Sequence, residues 1–167
     1  MDVICRPMVA ADLDAASELH VRAWQTAYRG IVPQAFLDGM DPAVRRRRNE
    51  GRSLAGQHVA EAGGEVVGWL SVGPYRDDDP PGPGCGEIEA IYARPDVVGA
   101  GVGRVLLAYG LGELRRHGLA PVLLWVLTGN DHARRFYEKA GFAADGATHD
   151  YEVGGATLPE LRYRYDG

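Results

Sequence analysis

Apolar and polar positions change their period several times along the chain, and each change predicts an element. Val3 to Met8 predicts a first strand, closed by Pro7. Leu13, Ala16, His20, Ala23 and Ala27 then recur at helical spacing and predict a helix that ends near Gly30. Asp12 is placed to cap it, and Asp14 adds negative charge to its first turn. Trp24 and Tyr28, four residues apart, share one edge of that helix as core packing or as the wall of a cleft. Pro33 opens a short helix through Met40, and Pro42 another through Arg45-Arg46-Arg47-Arg48. His58–Ala62 and Glu65–Val72 follow as strands, and the Gly63-Gly64 link suits a type I′ or II′ antiparallel hairpin. Pro74 to Gly84, PYRDDDPPGPG, is too rich in proline and glycine for regular structure and reads as a mobile surface loop.

The second half alternates strand and helix. Glu87–Ala93 predicts a strand ended by Pro95. A glycine turn then starts a long helix with Gly103, Leu106, Leu107, Gly110, Leu111 and Leu114 on one face and Gly118 as its stop. Gly110 and Gly112 each weaken that helix by up to about 1 kcal/mol relative to alanine, which close approach to a neighbour would explain. Val122–Leu127 is unbroken apolar sequence, as in a strand covered on both faces. Strand, helix, strand at this spacing is a parallel βαβ unit with a right-handed crossover. A helix from Asp131 to Ala140 follows, capped by Asn130 and Gly141. Phe142 and the alternating Leu161, Tyr163 and Tyr165 predict two last strands. The fold class expected is α/β, a mixed, mostly antiparallel sheet with one central parallel crossover and helices on both faces.

Composition narrows this picture. The 167 residues, 46% of them hydrophobic, fit one domain spanning 1–167 with a full core. A net charge of −5 argues against a nucleic-acid binder. The four consecutive arginines point around a whole helical circumference and predict a solvated surface. Cys5 and Cys85 match no zinc spacing, no metal site is expected, and reduced thiols point to the cytoplasm. No apolar stretch is long enough for a membrane span, and the first residues lack the pattern of an export signal.

The chemistry centres on Val98-Gly-Ala-Gly-Val-Gly-Arg104. A dinucleotide fingerprint fails because its last glycine position is Arg104, and a P-loop fails because Gly103 is not followed by Lys-Ser/Thr. A glycine turn on a helix N-terminus remains, which serves as a pyrophosphate site or as a purely structural turn. Glu87 and Glu89, two apart on a strand, project from one face with Ile88 on the other.

Strand, glycine turn, helix and apolar strand, followed by Asn130, Ala133, Phe136, Tyr137 and Gly141-Phe142, resemble the GNAT superfamily of acyl-CoA-dependent N-acetyltransferases. Tyr28 to Asp38, YRGIVPQAFLD, also looks like a stretch found in many bacterial members. Val98 departs from the Gln or Arg with which the family pattern opens. The resemblance implies acetyl-CoA as cofactor, bound along Ile91, Tyr92 and Ala93, whose backbone would pair with the pantetheine arm and polarise the thioester oxygen. The amides of Val98, Gly99, Ala100, Gly101, Val102, Gly103 and Arg104 would hold the pyrophosphate, and Asn130 and Ala133 would flank the arm. It implies Tyr137 as the acid that protonates the leaving thiolate, and Glu89 or Glu87 as the base. Trp24, Tyr28, Glu87, Glu89, Trp125 and Tyr151 would line the acceptor side, and such a rim suits a cationic amine. The expected reaction is direct attack by a primary amine of a small molecule or peptide in a ternary complex. The rivals are a non-catalytic acyl-CoA sensor and a nucleotide-binding module. An exposed C-terminal strand could pair two subunits as a homodimer.

Overall fold

The computed structural model describes all 167 residues. Its strands are β1 (Ile4–Pro7), β2 (Gln57–Ala62), β3 (Glu65–Pro74), β4 (Gly86–Ala93), β5 (Val122–Leu127), β6 (Ala143–Val153) and β7 (Ala156–Tyr165). Its helices are α1 (Leu13–Ala27), α2 (Gln34–Asp38), α3 (Pro42–Asn49), α4 (Val102–Arg116) and α5 (Asp131–Lys139). The strands form one sheet in the order β1-β2-β3-β4-β5-β7-β6, antiparallel except for the β4–β5 pair. Helices cover both faces, as the alternating and continuous apolar runs require. The leucines of α4, with Tyr137 of α5, pack on one face against Leu70, Val72, Ile88 and Leu124. Leu13 and Ala16 of α1 pack on the other face with Met8 and Val59.

Local chemistry explains most of the boundaries. Gly63 and Gly64 both have positive φ, 60° and 82°, so the β2–β3 hairpin turns through the type I′ geometry that matches strand twist. Asn130 accepts a hydrogen bond from the Ala133 amide at 3.1 Å and caps α5. At Gly110 a Cβ would lie 3.0 Å from Leu70 Cδ2, so this glycine lets α4 sit directly on β3. Gly112 meets nothing within 4 Å, and close approach does not account for it.

Several expectations are corrected. Asp12 does not cap α1: its carboxylate turns back to the Val9 amide at 2.9 Å and to Arg6 at 2.8 and 2.9 Å, because a guanidinium is a stronger partner than a helix amide. Ala27 ends the α1 stripe exposed, on the wall of a cleft. The arginine run is not uniformly solvated: Arg45 turns inward over Trp69, its guanidinium carbon 5.3 Å from the ring centroid. The proline-rich segment after β3 is held down, not free. Arg162, buried on β7, donates to Asp79 O at 2.8 Å, Asp79 Oδ2 at 3.1 Å, Tyr75 Oη at 3.2 Å and Asp145 Oδ2 at 2.7 Å. Trp125 Nε1 adds a bond to Asp77 at 2.8 Å. The C-terminal strand β7 lies inside the sheet between β5 and β6, so its edge cannot pair subunits; β6 is the edge strand, broken by a register shift between Ala144 and Thr148. No helix is long and apolar enough to cross a membrane.

Candidate active site

The central parallel pair is joined for only two positions, Gly86 with Val122 and Glu87 with Leu123, and then the strands part. β4 also carries a bulge there: Ser71 of β3 faces Ala90 while Val72 faces Ile88, leaving Glu89 as the extra residue. Splaying and bulging open a cavity of 680 Å³ between β4 and β5. β4 from Ile88 to Ala93 forms one wall and Val126 and Leu127 of β5 the other. The turn before α4 closes one end and the inner face of α5 the floor.

At the α4 end the chain is shaped around exposed backbone donors. Gly99 and Gly101 have φ of 88° and 95°, conformations that side chains rarely adopt, and Gly101 is the N-cap of α4. The Val98 amide is already bonded to Pro95 O, the Ala100 amide to Val97 O and the Arg104 amide to Gly101 O, so these three members of the expected set are spent. The amides of Gly99, Gly101, Val102 and Gly103 make no hydrogen bond within the protein. These four unpaired donors lie at the positive end of a fifteen-residue helix, where the dipole favours negative charge. Val98 lines the same end with its side chain largely exposed, whereas Val102 is buried in the core and, like Ala100, does not line the cavity. The side chains of Arg104, His132, Arg135 and Lys139 surround this end. The last three share one face of α5 at helical spacing, a pattern visible in the sequence but not used there.

Asn130 is buried and lines the cavity; with its carbonyl oxygen fixed by the cap, its NH₂ group has no protein partner. Ala133 lines the same wall. Tyr137 is held by edge contacts to Phe136 and Phe142, with ring centroids 5.2 and 5.7 Å away, and its hydroxyl bonds to no protein group. Burial, reinforced by Tyr92, holds its pKa well above the ordinary tyrosine value, so it keeps its proton. Tyr92 and Tyr28 lie hydroxyl to hydroxyl at 3.0 Å, and burial raises both of their pKa values as well.

The two glutamates share a face but not an environment. Glu87 is almost fully buried and takes both Nε and Nη2 of Arg76 at 3.0 Å, and it does not line the cavity. Glu89 does line it. Its Oε2 accepts from Ser71 Oγ at 2.8 Å, Ser71 accepts from Gln57 Nε2 at 2.8 Å, and Gln57 Oε1 accepts from Trp69 Nε1 at 3.0 Å. This chain orients one carboxylate oxygen and leaves Oε1 with only Arg76 Nε at 3.4 Å.

Of the expected acceptor residues, Tyr28, Glu89 and Trp125 line the cavity; Trp24, Glu87 and Tyr151 do not. Trp24 packs behind Tyr28 at 4.7 Å, and Tyr151 packs with both of them against the apolar cluster of Val32, Leu37, Leu127 and Val153. Glu160 was missed by the sequence reading. It lines the cavity from β7, its pKa is raised by burial, and it bonds His149 Nε2 at 2.5 Å while His149 stacks on Trp125 at 3.8 Å. Only strand pairing brings these residues together, and no local motif marks them. No group of His, Cys, Asp or Glu is placed to hold a metal ion.

Comparison with known proteins agrees with this geometry. The model of the acetyltransferase (GNAT) family matches residues 14–142, from the first turn of α1 to the end of the turn after α5. The uncharacterized N-acetyltransferase YuaI of Bacillus subtilis is 30% identical over 161 residues, covering 95% of this chain and 90% of that protein. Among solved structures, the ribosomal-protein-alanine N-acetyltransferase of Brucella melitensis superposes with a TM-score of 0.74 at 25% identity, covering 98% and 99% of the two chains. The yncA protein of Salmonella typhimurium, solved with its cofactor acetyl-CoA, gives 0.73 at 24% identity over 99% and 94%. A match of this extent, through the splayed strands, the glycine turn and α5, shows that the chain belongs to the GNAT family of acyl-CoA-dependent N-acetyltransferases.

Proposed function

We propose that residues 1–167 act as one catalytic domain that transfers an acetyl group from acetyl-CoA to a primary amine by direct attack, with both substrates bound together. One observation carries this reading: Glu89, Tyr137 and the free amides before α4 all open on a single cavity. The residues present fit the donor. The four unpaired amides, with Arg104, Arg135 and Lys139 around them, suit a pyrophosphate. The edge of β4 beyond Glu87 is unpaired on the β5 side, so Ile91 and Ala93 can bond an extended pantetheine arm, and the free NH₂ of Asn130 can reach its carbonyls. Acetyl-CoA, when bound, supplies the acetyl thioester.

The protein's part is proton management and exclusion of water. Glu89 accepts a proton from the ammonium form of the acceptor, with its orientation set by Ser71. Tyr137, protonated throughout the physiological range, donates its hydroxyl proton to the departing sulfur and regains one from the second proton that the attacking nitrogen sheds as the amide forms. A β4 backbone amide polarises the carbonyl oxygen. Glu87 stays paired to Arg76 and fixes the loop beside the site.

The test is purified protein with acetyl-CoA and a panel of amines, read by thiol release and by the mass of the acetylated product. Release that requires an amine is the expected result. Acetyl-CoA binding with no release for any amine would instead leave a sensor.

A further inference from the structure

A second cavity, of 350 Å³, lies on the α1 side of the sheet and shares Glu89 and Ala90 with the first as walls. Trp69 and Ser71 line its floor, and Arg45, Arg52 and Arg76 reach into it. Its charge is not balanced within the protein. Arg76 is committed to Glu87 and Glu89. On α3, Arg46 is committed to Asp14 and Glu50. Arg45 makes no ion pair and no hydrogen bond, only the cation–π contact with Trp69. Arg52 likewise has no carboxylate partner. Burial disfavours the charged form of Arg45 most, and the nearby Arg48 and Arg52 disfavour it further. Of the groups on α1 and β4, His20 is neutral with its pKa pushed down to about 3, and Tyr92 keeps its proton. Glu89, the one carboxylate on the cavity wall, is engaged by Ser71 and Arg76 and makes no ion pair with Arg45 or Arg52. A cation drawn out of water, set beside a second one and given no ion-pair partner is costly, and a tryptophan face offsets only part of that cost. The missing counter-charge is expected from a ligand.

We infer that this cavity receives the acidic end of the acceptor, a small amine carrying a carboxylate or phosphonate whose amino group lies at Glu89 and whose anion lies between Arg45 and Arg52. The inference rests on the N-acetyltransferase reading and goes beyond it by naming the acceptor's chemical class. It replaces the cationic amine expected from the sequence, because Glu87 is taken up by Arg76 and lines neither cavity, which leaves Glu89 as the one carboxylate of the pair beside three arginines. Trp69 has two roles here, since its face carries Arg45 while its Nε1 begins the chain of bonds to Glu89. Occupancy of the anion site is thereby linked to the orientation of the base.

The experiment measures kcat/KM for matched acceptors: amino acids, their uncharged amides, aminoalkylphosphonates and polyamines. At least a tenfold preference for the acids over the amides is expected. Arg45→Gln and, separately, the exposed Arg52→Gln should collapse that ratio, chiefly through KM for the acid, while Arg47→Gln serves as a control with the ratio intact. Thermal melts confirm folding, and Arg52→Gln keeps the test usable if Arg45→Gln unfolds. Equal turnover of acids and amides, a preference for polyamines, or a ratio unmoved by both variants overturns the inference and leaves the N-acetyltransferase reading standing. If no amine releases thiol, that reading fails, and calorimetry of the acids against the CoA-loaded protein still decides: absence of binding, or binding indifferent to Arg45 and Arg52, overturns the inference too.

Discussion

Replacing Tyr137 with phenylalanine separates its chemical role from its structural one, and the structure sets both magnitudes. The ring is wedged between Phe136 and Phe142 and belongs to the main core, and phenylalanine keeps all of that packing. The hydroxyl bonds to nothing in the protein, so removing it strands no partner and avoids the 1–3 kcal/mol that an orphaned buried donor or acceptor costs. Stability should move by no more than about 0.5 kcal/mol, or roughly 1–2 °C in Tm for a chain of this size. Acetyl-CoA affinity should be unchanged, because the anion site and the β4 edge are untouched. The chemical step should slow by roughly 10²–10⁴-fold, the usual contribution of a positioned general acid, equivalent to about 2.7–5.4 kcal/mol of barrier. Since the Tyr137 pKa is raised, no activity loss from its ionisation is expected up to about pH 10, where a free tyrosine would ionise. Single-turnover rates of thiol release report the chemistry even where product release limits kcat. Calorimetric Kd and a thermal melt complete the set. A single-turnover rate equal to wild type would remove Tyr137 from the mechanism, and a large fall in Tm would show that its role is in packing.

Other perturbations test the remaining parts. Gly101→Val places a β-branched residue at φ 95° on the α4 N-cap, where an L-residue loses about 1–2 kcal/mol; the turn should relax, redirect its free amides, and raise Kd for CoA at least tenfold by calorimetry. Unchanged affinity would dissociate the turn from phosphate binding. Glu89→Gln should lower kcat about 100-fold and alter the pH–rate profile, and an unaltered profile would pass the base role to Glu160 or to solvent. His20 is buried among Trp24, Trp69 and Tyr92 with its pKa lowered to about 3, chiefly by burial. The unfolded chain therefore binds a proton that the native state refuses between about pH 6.5 and 3, and stability falls on acidification by up to about 1.4 kcal/mol per pH unit. His20→Phe should flatten that slope in urea titrations at pH 6.5 and 4.5, and an identical slope would show that His20 protonates in the native state.

The sequence reading succeeded where information is local. Period, caps and glycine turns lie within a few residues of what they control, so Val122–Leu127, the Gly63-Gly64 hairpin, the Asn130 cap and the single parallel crossover were all readable, whereas the interior place of β7 in the sheet was not. It failed where partners are distant. The PYRDDDPPGPG segment looks mobile until Arg162, 83 residues away, is seen to bind Asp79, and Glu160 with His149 reaches the cavity only through the pairing of β5, β6 and β7. Arg45 was hidden for another reason: in a run of four arginines nothing marks which one faces Trp69.

The choice between the two glutamates shows how such distant contacts decide chemistry. By strand periodicity Glu87 and Glu89 are equivalent, and no property of either residue alone ranks them. The bulge opposite Ser71 and Val72 and the position of Arg76 break the tie. The exposed Arg76 takes the buried Glu87 carboxylate in a two-pronged grip and touches Glu89 only at 3.4 Å, while the bulge turns Glu89 onto both cavities. Arg76 can do this because its loop is anchored by Arg162 to β7 and by Asp77 to Trp125. The loop that carries no regular structure therefore fixes which carboxylate stays tied to an arginine and which faces the reacting groups. Loosening the Arg162 anchor should reach the chemistry through Arg76, with no residue of the cavity wall replaced.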